Sequence, residues 1–233
     1  MSPTLIPYQK MIKDEQEILN IKKACKISKK SFKELEKKIK AGISEIKVKE
    51  LLEKIMKEKG SQQPAFPTIV AFGENTALPH HQPTDKKLTE NMAVLIDFGA
   101  SFNSYKSDMT RSFWFGDHPT REYKKVEETV MEAYKIGLNT AQSGLNEPVC
   151  EIDRATREYI KQSQYGPQFI HTTGHGLGLD IHEFPSINWK EETKLTNDLI
   201  FTIEPGIYLE DKFGFRYENT IYFNQKETLE LTL

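Results

Sequence analysis

Apolar positions in the first sixty residues recur with a helical period. Ile18, Ile21, Cys25, Ser28, Phe32, Leu35 and Ile39 follow one another at intervals of 3, 4, 3, 4, 3 and 4, which predicts one face of a helix over about 13–40. The opposite face is almost all Lys and Glu, and Gly42 ends the pattern. Ser44 suits the N-cap of a second helix, with Val48, Leu51, Leu52, Ile55 and Met56 inward and Gly60 as its stop. Over 64–84 the period is lost among Pro64, Pro67, Pro79 and Pro83, and a short strand near 68–72 is followed by an irregular loop. Residues 92–115 read as a β-hairpin, with MAVLIDFGA and DMTRSFWFG as strands and NSYKS as the turn. Pro119 opens a third helix carrying Val126, Val130, Ala133, Gly137 and Ala141 at helical spacing, and a fourth covers about 148–163. A histidine-rich stretch over 171–185 leads to a second hairpin, at 199–209 and 214–223. Helix, helix, loop, hairpin thus occurs twice without repeating at the residue level. The pattern predicts a single α+β domain over 1–233 made of two similar halves, with 1–11 as an N-terminal extension.

Composition narrows the function classes. The 233 residues carry 37% hydrophobic and 28% charged residues and a net charge of −2, which is ordinary for a globular chain. The balance is uneven: residues 1–60 hold 16 Lys against 9 acidic residues, and the remainder holds 16 basic against 25 acidic. The lysines read as solvated helix faces, since no aromatics interleave among them, so no nucleic-acid partner is expected. No apolar run reaches the roughly 18 residues of a membrane span, and the first residues hold no signal-peptide core. Cys25 and Cys150 stand far apart with no CxxC pair, which excludes a disulfide framework. A reducing, cytoplasmic location is the expectation.

The acidic surplus points to chemistry. Asp97 and Asp108 fall on the two strands of the first hairpin, Glu204 and Glu218 on those of the second. Carboxylates inside runs such as VLIDFG and FTIEPG need compensation when buried. Arg111 and Arg216 could compensate any one of them; four at matching places suit a divalent-cation site of hard oxygen ligands. In HTTGHGLGLDIHEFP, His171, His175 and His182 are interleaved with Gly174, Gly176 and Gly178, which favours an extended or looped segment presenting several imidazoles. GHGLG lacks the dinucleotide register, and no GxSxG elbow is present.

In combination, Asp97, Asp108, GHGLG with His175, IEPG with Glu204 and RYEN with Glu218 resemble the dinuclear-metal "pita-bread" peptidases, over essentially the whole chain. These are the Xaa-Pro aminopeptidases, prolidases and methionine aminopeptidases. The resemblance implies a pita-bread fold and five metal ligands, Asp97, Asp108, His175, Glu204 and Glu218, with Asp108 and Glu218 bridging. It implies two divalent ions, Mn²⁺ first, with Co²⁺, Zn²⁺ or Fe²⁺ as alternatives, that activate a shared water. Glu204 would take that water's proton. LPHHQPT resembles the PHxxPT element of the proline-specific members, with His80 on its histidine and His81 as the alternative register. His171, Arg216 and SDMTR around Asp108 also resemble that group, which implies that His80, His171, His182 and Arg216 contact substrate and that the three histidines take part in catalysis by stabilising the tetrahedral oxyanion. The expected substrate is a peptide with proline at its second position, and the expected activity is that of an Xaa-Pro aminopeptidase. The alternatives are an Xaa-Pro dipeptidase (prolidase), a methionine aminopeptidase, or a non-catalytic peptide-binding module of the same fold. Proline-specific members usually carry a further N-terminal domain, for which no counterpart is expected here, and a homodimer is the candidate assembly.

Overall fold

A computed structural model describes residues 10–233, so the expected extension over 1–11 lies outside the described residues apart from Lys10 and Met11. Helix α1 spans Glu15–Leu35. The Asp14 carboxylate accepts from the Glu17 amide at 2.8 Å and the Glu17 carboxylate accepts from the Asp14 amide at 2.9 Å, closing a capping box. The helix ends before Ile39, the last position of the apolar pattern, which packs on the same core from the turn that follows. Helix α2 spans Glu45–Glu58, and its N-cap Ser44 accepts from the Lys47 amide at 3.4 Å.

Strands β1 (Ile69–Phe72), β2 (Met92–Phe98) and, further on, β5 (Met109–Phe115) form an antiparallel sheet in the order β1-β2-β5. The expected turn between β2 and β5 is itself a small ribbon, β3 (Ser101–Phe102) and β4 (Tyr105–Lys106). It turns through Asn103 and Ser104, both at positive φ. Helix α3 (Arg121–Ser143) is capped by Thr120 rather than opened by Pro119, and α4 (Cys150–Gln162) packs beside it.

The second half departs from a plain hairpin. The histidine-rich stretch contributes β6 (Gly174–Gly176) and β7 (Glu183–Ile187). With β8 (Leu199–Ile203), β11 (Asn219–Asn224) and β12 (Glu227–Glu230) they make a five-stranded sheet, β12-β11-β8-β6-β7. The close approach of β6 to β8 needs glycine: a Cβ on Gly174 would stand 1.9 Å from the Thr202 carbonyl oxygen. The two long strands expected here are each cut in two, and their other pieces, β9 (Gly206–Leu209) and β10 (Phe213–Arg216), form a separate ribbon. Pro205 has no N–H to give to a ladder, so the pairing stops there.

The core joins the halves through their long helices. In α1, Ile27, Phe32 and Leu35 pack with β1 and β2 of the first half, whereas Ile18, Ile21 and Cys25 pack with Ile200 and Tyr222 of the second. In α3, Tyr123 and Val126 pack with Ala93 and Trp114 of the first half and with Phe213 and Phe215 of the second, and Ala141 packs with Phe201 and Ile221 of the second.

Candidate metal centre

The four carboxylates converge where the two halves meet. Asp97 sits in β2 directly opposite Thr110 of β5, and Asp108 precedes Thr110 by two residues, so alternation puts all three on one face. Ile203 pairs with Asn219, so Glu204 and Glu218 stand opposite one another at the break that Pro205 makes. Only Asp97 lies inside a regular strand; Asp108, Glu204 and Glu218 stand just outside strand ends. Hydrogen bonds then stitch the halves together. The Ser112 hydroxyl donates to the Arg216 carbonyl at 2.9 Å, and the Arg111 guanidinium donates to the Glu218 carbonyl at 2.7 Å. Arg111, expected as a possible carboxylate partner, instead donates to backbone carbonyls and to the Asn219 side chain.

Arg216 is the cation that meets a site carboxylate directly. Its Nη2 donates to Asp97 Oδ2 at 2.6 Å, its Nε to the Thr110 hydroxyl at 3.1 Å and its Nη1 to the Tyr208 hydroxyl at 2.7 Å. Thr110 in turn donates to Glu218 Oε2 at 2.7 Å, and Thr202 donates to Glu204 Oε1 at 3.2 Å. One arginine does not balance four acids. Burial, and after it the charges of the neighbouring carboxylates, push Asp108 and Glu218 well above the usual carboxylate range. Burial also raises Glu204. Oδ1 of Asp97 and Oδ1 of Asp108 are buried with no hydrogen-bond partner among the described residues.

His175 completes the group. Its Nδ1 donates to the Gly176 carbonyl at 3.0 Å, which turns Nε2 towards the carboxylates, and burial lowers its pKa. Nε2 lies 3.6 Å from Asp108 Oδ2 and 3.4 Å from Glu204 Oε1. Ligand atoms of Asp108, His175 and Glu218 all lie within 4.8 Å of one another. A buried cluster of carboxylates and an imidazole, with orphaned oxygens among them, fits divalent cations.

The remaining expected residues divide into two kinds. His80 and His182 line the cavity of about 530 Å³ above the carboxylates, and no hydrogen bond to either ring occurs among the described residues. The His182 ring meets that of His175 edge-on at 4.4 Å between centroids. His171 also lines the cavity, but both of its nitrogens are engaged: Nδ1 donates to the Thr172 carbonyl at 2.8 Å, and Nε2 accepts from the Tyr208 hydroxyl at 2.8 Å. His171, Tyr208, Arg216 and Asp97 therefore form one chain of hydrogen bonds along the wall. His81 is turned away from the cavity, its Nε2 donating to Glu45 Oε2 at 2.8 Å. Of the two, His80 is the one that lines the cavity. Sequence reasoning missed Thr110, Thr202 and Tyr208. The signal for Tyr208 was its alternation with Glu204 and Gly206; Thr110 and Thr202 each stand two residues from a carboxylate on the same strand face.

Comparison with known proteins agrees with this architecture. Over 223 residues and 96% of its length the chain is 40% identical to an Xaa-Pro dipeptidase of Pyrococcus furiosus, and it spans 63% of that protein. It is 38% identical to an Xaa-Pro dipeptidase of Pyrococcus horikoshii, covering 98% of this chain and 64% of the relative. The chain thus spans less than two thirds of the curated relatives it matches. Among solved structures, an X-Pro aminopeptidase from Thermotoga maritima superposes with a TM-score of 0.93 at 39% identity, covering 99% of this chain and 64% of that one. A prolidase from Pyrococcus furiosus gives 0.93 at 37%, covering 100% and 68%. The fold is the pita-bread fold that the resemblance implied. The profile of metallopeptidase family M24 matches residues 20–225, and with the fold and the ligand cluster in agreement the chain belongs to that family.

Proposed function

We propose that the chain is the catalytic part of a metal-dependent exopeptidase that cleaves the bond between an N-terminal residue and a following proline. The observation that carries the reading is the buried cluster of Asp97, Asp108, His175, Glu204 and Glu218 in the wall of a cavity that also holds two imidazoles with no hydrogen bond among the described residues. Of the activities weighed from the sequence, the relatives named Xaa-Pro dipeptidases favour the dipeptidase alternative over the aminopeptidase. Those five side chains would hold two divalent cations, which when bound acidify a water and polarise the scissile carbonyl. Four carboxylates with one imidazole suit Mn²⁺, and Co²⁺, Zn²⁺ or Fe²⁺ are compatible with the same donors. Glu204 accepts the proton of the attacking water and passes it to the departing proline nitrogen. His80 and His182 donate to the oxygen of the carbonyl under attack. His171 and Arg216 act from the wall, through Tyr208 and Asp97, by keeping a carboxylate in place. Phe66, Ile69, Pro79 and Ile181 form the apolar side of the cavity, a surface suited to a pyrrolidine ring. Both cysteines are free thiols, which supports the reducing cytoplasmic location expected from the sequence.

Hydrolysis of Xaa-Pro, Xaa-Pro-Yaa and Met-Ala-Yaa peptides by Mn²⁺-loaded protein tests this reading. The dipeptide should be cleaved fastest. Faster release from Xaa-Pro-Yaa restores the aminopeptidase, and preference for Met-Ala-Yaa or inertness towards all three overturns proline specificity.

A further inference from the structure

Glu45 is the first residue of α2, fully buried, and no part of the cavity wall. Its carboxylate nevertheless collects donors from both ends of the loop that carries His80. Oε1 accepts from the Phe72 amide at 2.8 Å and from Asn75 Nδ2 at 2.8 Å. Oε2 accepts from His81 Nε2 at 2.8 Å, from the Thr84 amide at 2.8 Å and from the Thr84 hydroxyl at 2.6 Å. The loop is therefore clamped at 72–75 and again at 81–84, with Pro79 and His80 spanning the interval. His80 itself makes no hydrogen bond among the described residues. Its backbone is restrained on both sides, by the fixed φ of Pro79 and by the tethered His81.

The second half holds a matching device. Asp153, in the first turn of α4, is fully buried and accepts from the Thr173 amide at 3.1 Å and from the Thr173 hydroxyl at 2.8 Å. It also accepts from Arg157, whose Nη2 donates on to the His171 carbonyl at 2.8 Å. In both halves the second helix offers a buried acid to the loop that brings a histidine to the cavity. Two independent loops with the same fastening at the same place indicate that the fastening serves the histidines.

We propose that Glu45 is a positioning residue for His80, acting through His81 and Thr84, and that Asp153 with Arg157 does the same for the His171 segment. The inference rests on the functional reading above for its catalytic consequence, but its structural content is independent of it. A displaced donor acts on the rate of the chemical step more than on substrate capture.

The test is a double-mutant cycle on the Mn²⁺-loaded protein, read together with imidazole NMR of the metal-free protein. Glu45→Gln keeps the volume and puts an amide donor among five donors. It should lower kcat about ten- to a hundredfold with KM little changed and with bound Mn²⁺ at the wild-type level. In a His80→Ala background the same change should cost roughly twofold or less, because the residue it positions is gone. Thr84→Val removes one donor with little change of shape. It should give a smaller fall with the same dependence on His80, and it decides the matter if Glu45→Gln does not fold. In the NMR spectrum the His80 Cε1–H signal, assigned from His80→Ala, should shift or broaden in Thr84→Val and Glu45→Gln, while that of His182 stays in place. Rate losses that simply multiply with His80→Ala, or an unmoved His80 signal, overturn the proposal. Wild-type protein that is inert with a His80 signal that still moves would overturn the enzymatic reading and leave the positioning intact.

Discussion

Thr110 shows how narrowly the site is balanced. Its hydroxyl accepts from Arg216 and donates to Glu218, so one oxygen links the counter-ion of Asp97 to a second carboxylate. Thr110→Val, with no change in shape, leaves both partners short of a bond. It should destabilise the protein by about 1–3 kcal/mol in denaturant unfolding and weaken metal binding. Asp97→Ala or Glu218→Ala should abolish turnover and lower the metal stoichiometry measured by elemental analysis; normal turnover in either would remove that residue from the centre. Glu45 carries a pH dependence. Burial pushes its pKa up, but donors from Thr84, His81 and Asn75 outweigh this and hold it below the ordinary glutamate value. Its folded pKa is lowered, so its stabilisation is complete above the unfolded value and disappears as pH falls through the folded one. The gap in thermal stability between the wild type and Glu45→Gln should therefore shrink on acidification. At this scale the candidate ligands were legible, because Asp97, Asp108, His175, Glu204 and Glu218 carry their chemistry in their identity and order. Glu45 was not legible. In the sequence it is one more acidic residue in a Lys/Glu-rich helix, and only the fold shows that its side chain is covered.

At the scale of elements, the helices were read from period and caps; the structure keeps α2 within its limits and ends α1 at Leu35, short of the expected end near 40. The strands of the second half were not read correctly. An apolar run such as LIFTIEPGIYLE looks like one strand, and nothing in its periodicity shows that its two pieces pair in different sheets. The local cause was visible in Pro205, which lacks the amide that a continuous ladder requires. The consequence is functional, since the break frees Glu204 and Glu218 from strand pairing and lets them face the carboxylates of the first half. The glycines of β6 belong to the same scale. Gly174→Ala drives a methyl group into the Thr202 carbonyl and separates β6 from β8. It should cost about 1–3 kcal/mol in unfolding free energy and lower activity, since His175 is the next residue.

For the whole molecule, the site is a seam. The first hairpin brings Asp97 and Asp108, the second half brings His175, Glu204 and Glu218, and burial leaves these acids short of positive charge. Divalent cations should therefore raise the melting temperature with added concentration, as for any ligand that binds only the folded state, and a chelator should reverse the gain. A metal-independent melting temperature would show that the acids are satisfied within the protein.

The crossed packing of α1 and α3 bears on how such a chain can be divided. Each long helix touches both halves: α1 divides its apolar stripe between them, and the first turns of α3 reach Ala93 and Trp114 of the first half while the whole stripe rests on the second. What the sequence presents as two successive units is, in three dimensions, an exchange of splints. A chain severed in the link before α3 would yield two pieces, each with a stripe of apolar side chains left uncovered. Neither piece should show cooperative melting alone, and mixing them should restore one shared transition together with the metal site. Two independent transitions would show that the halves are self-sufficient. The repeat is thus legible as an order of elements, while stability belongs to the pair.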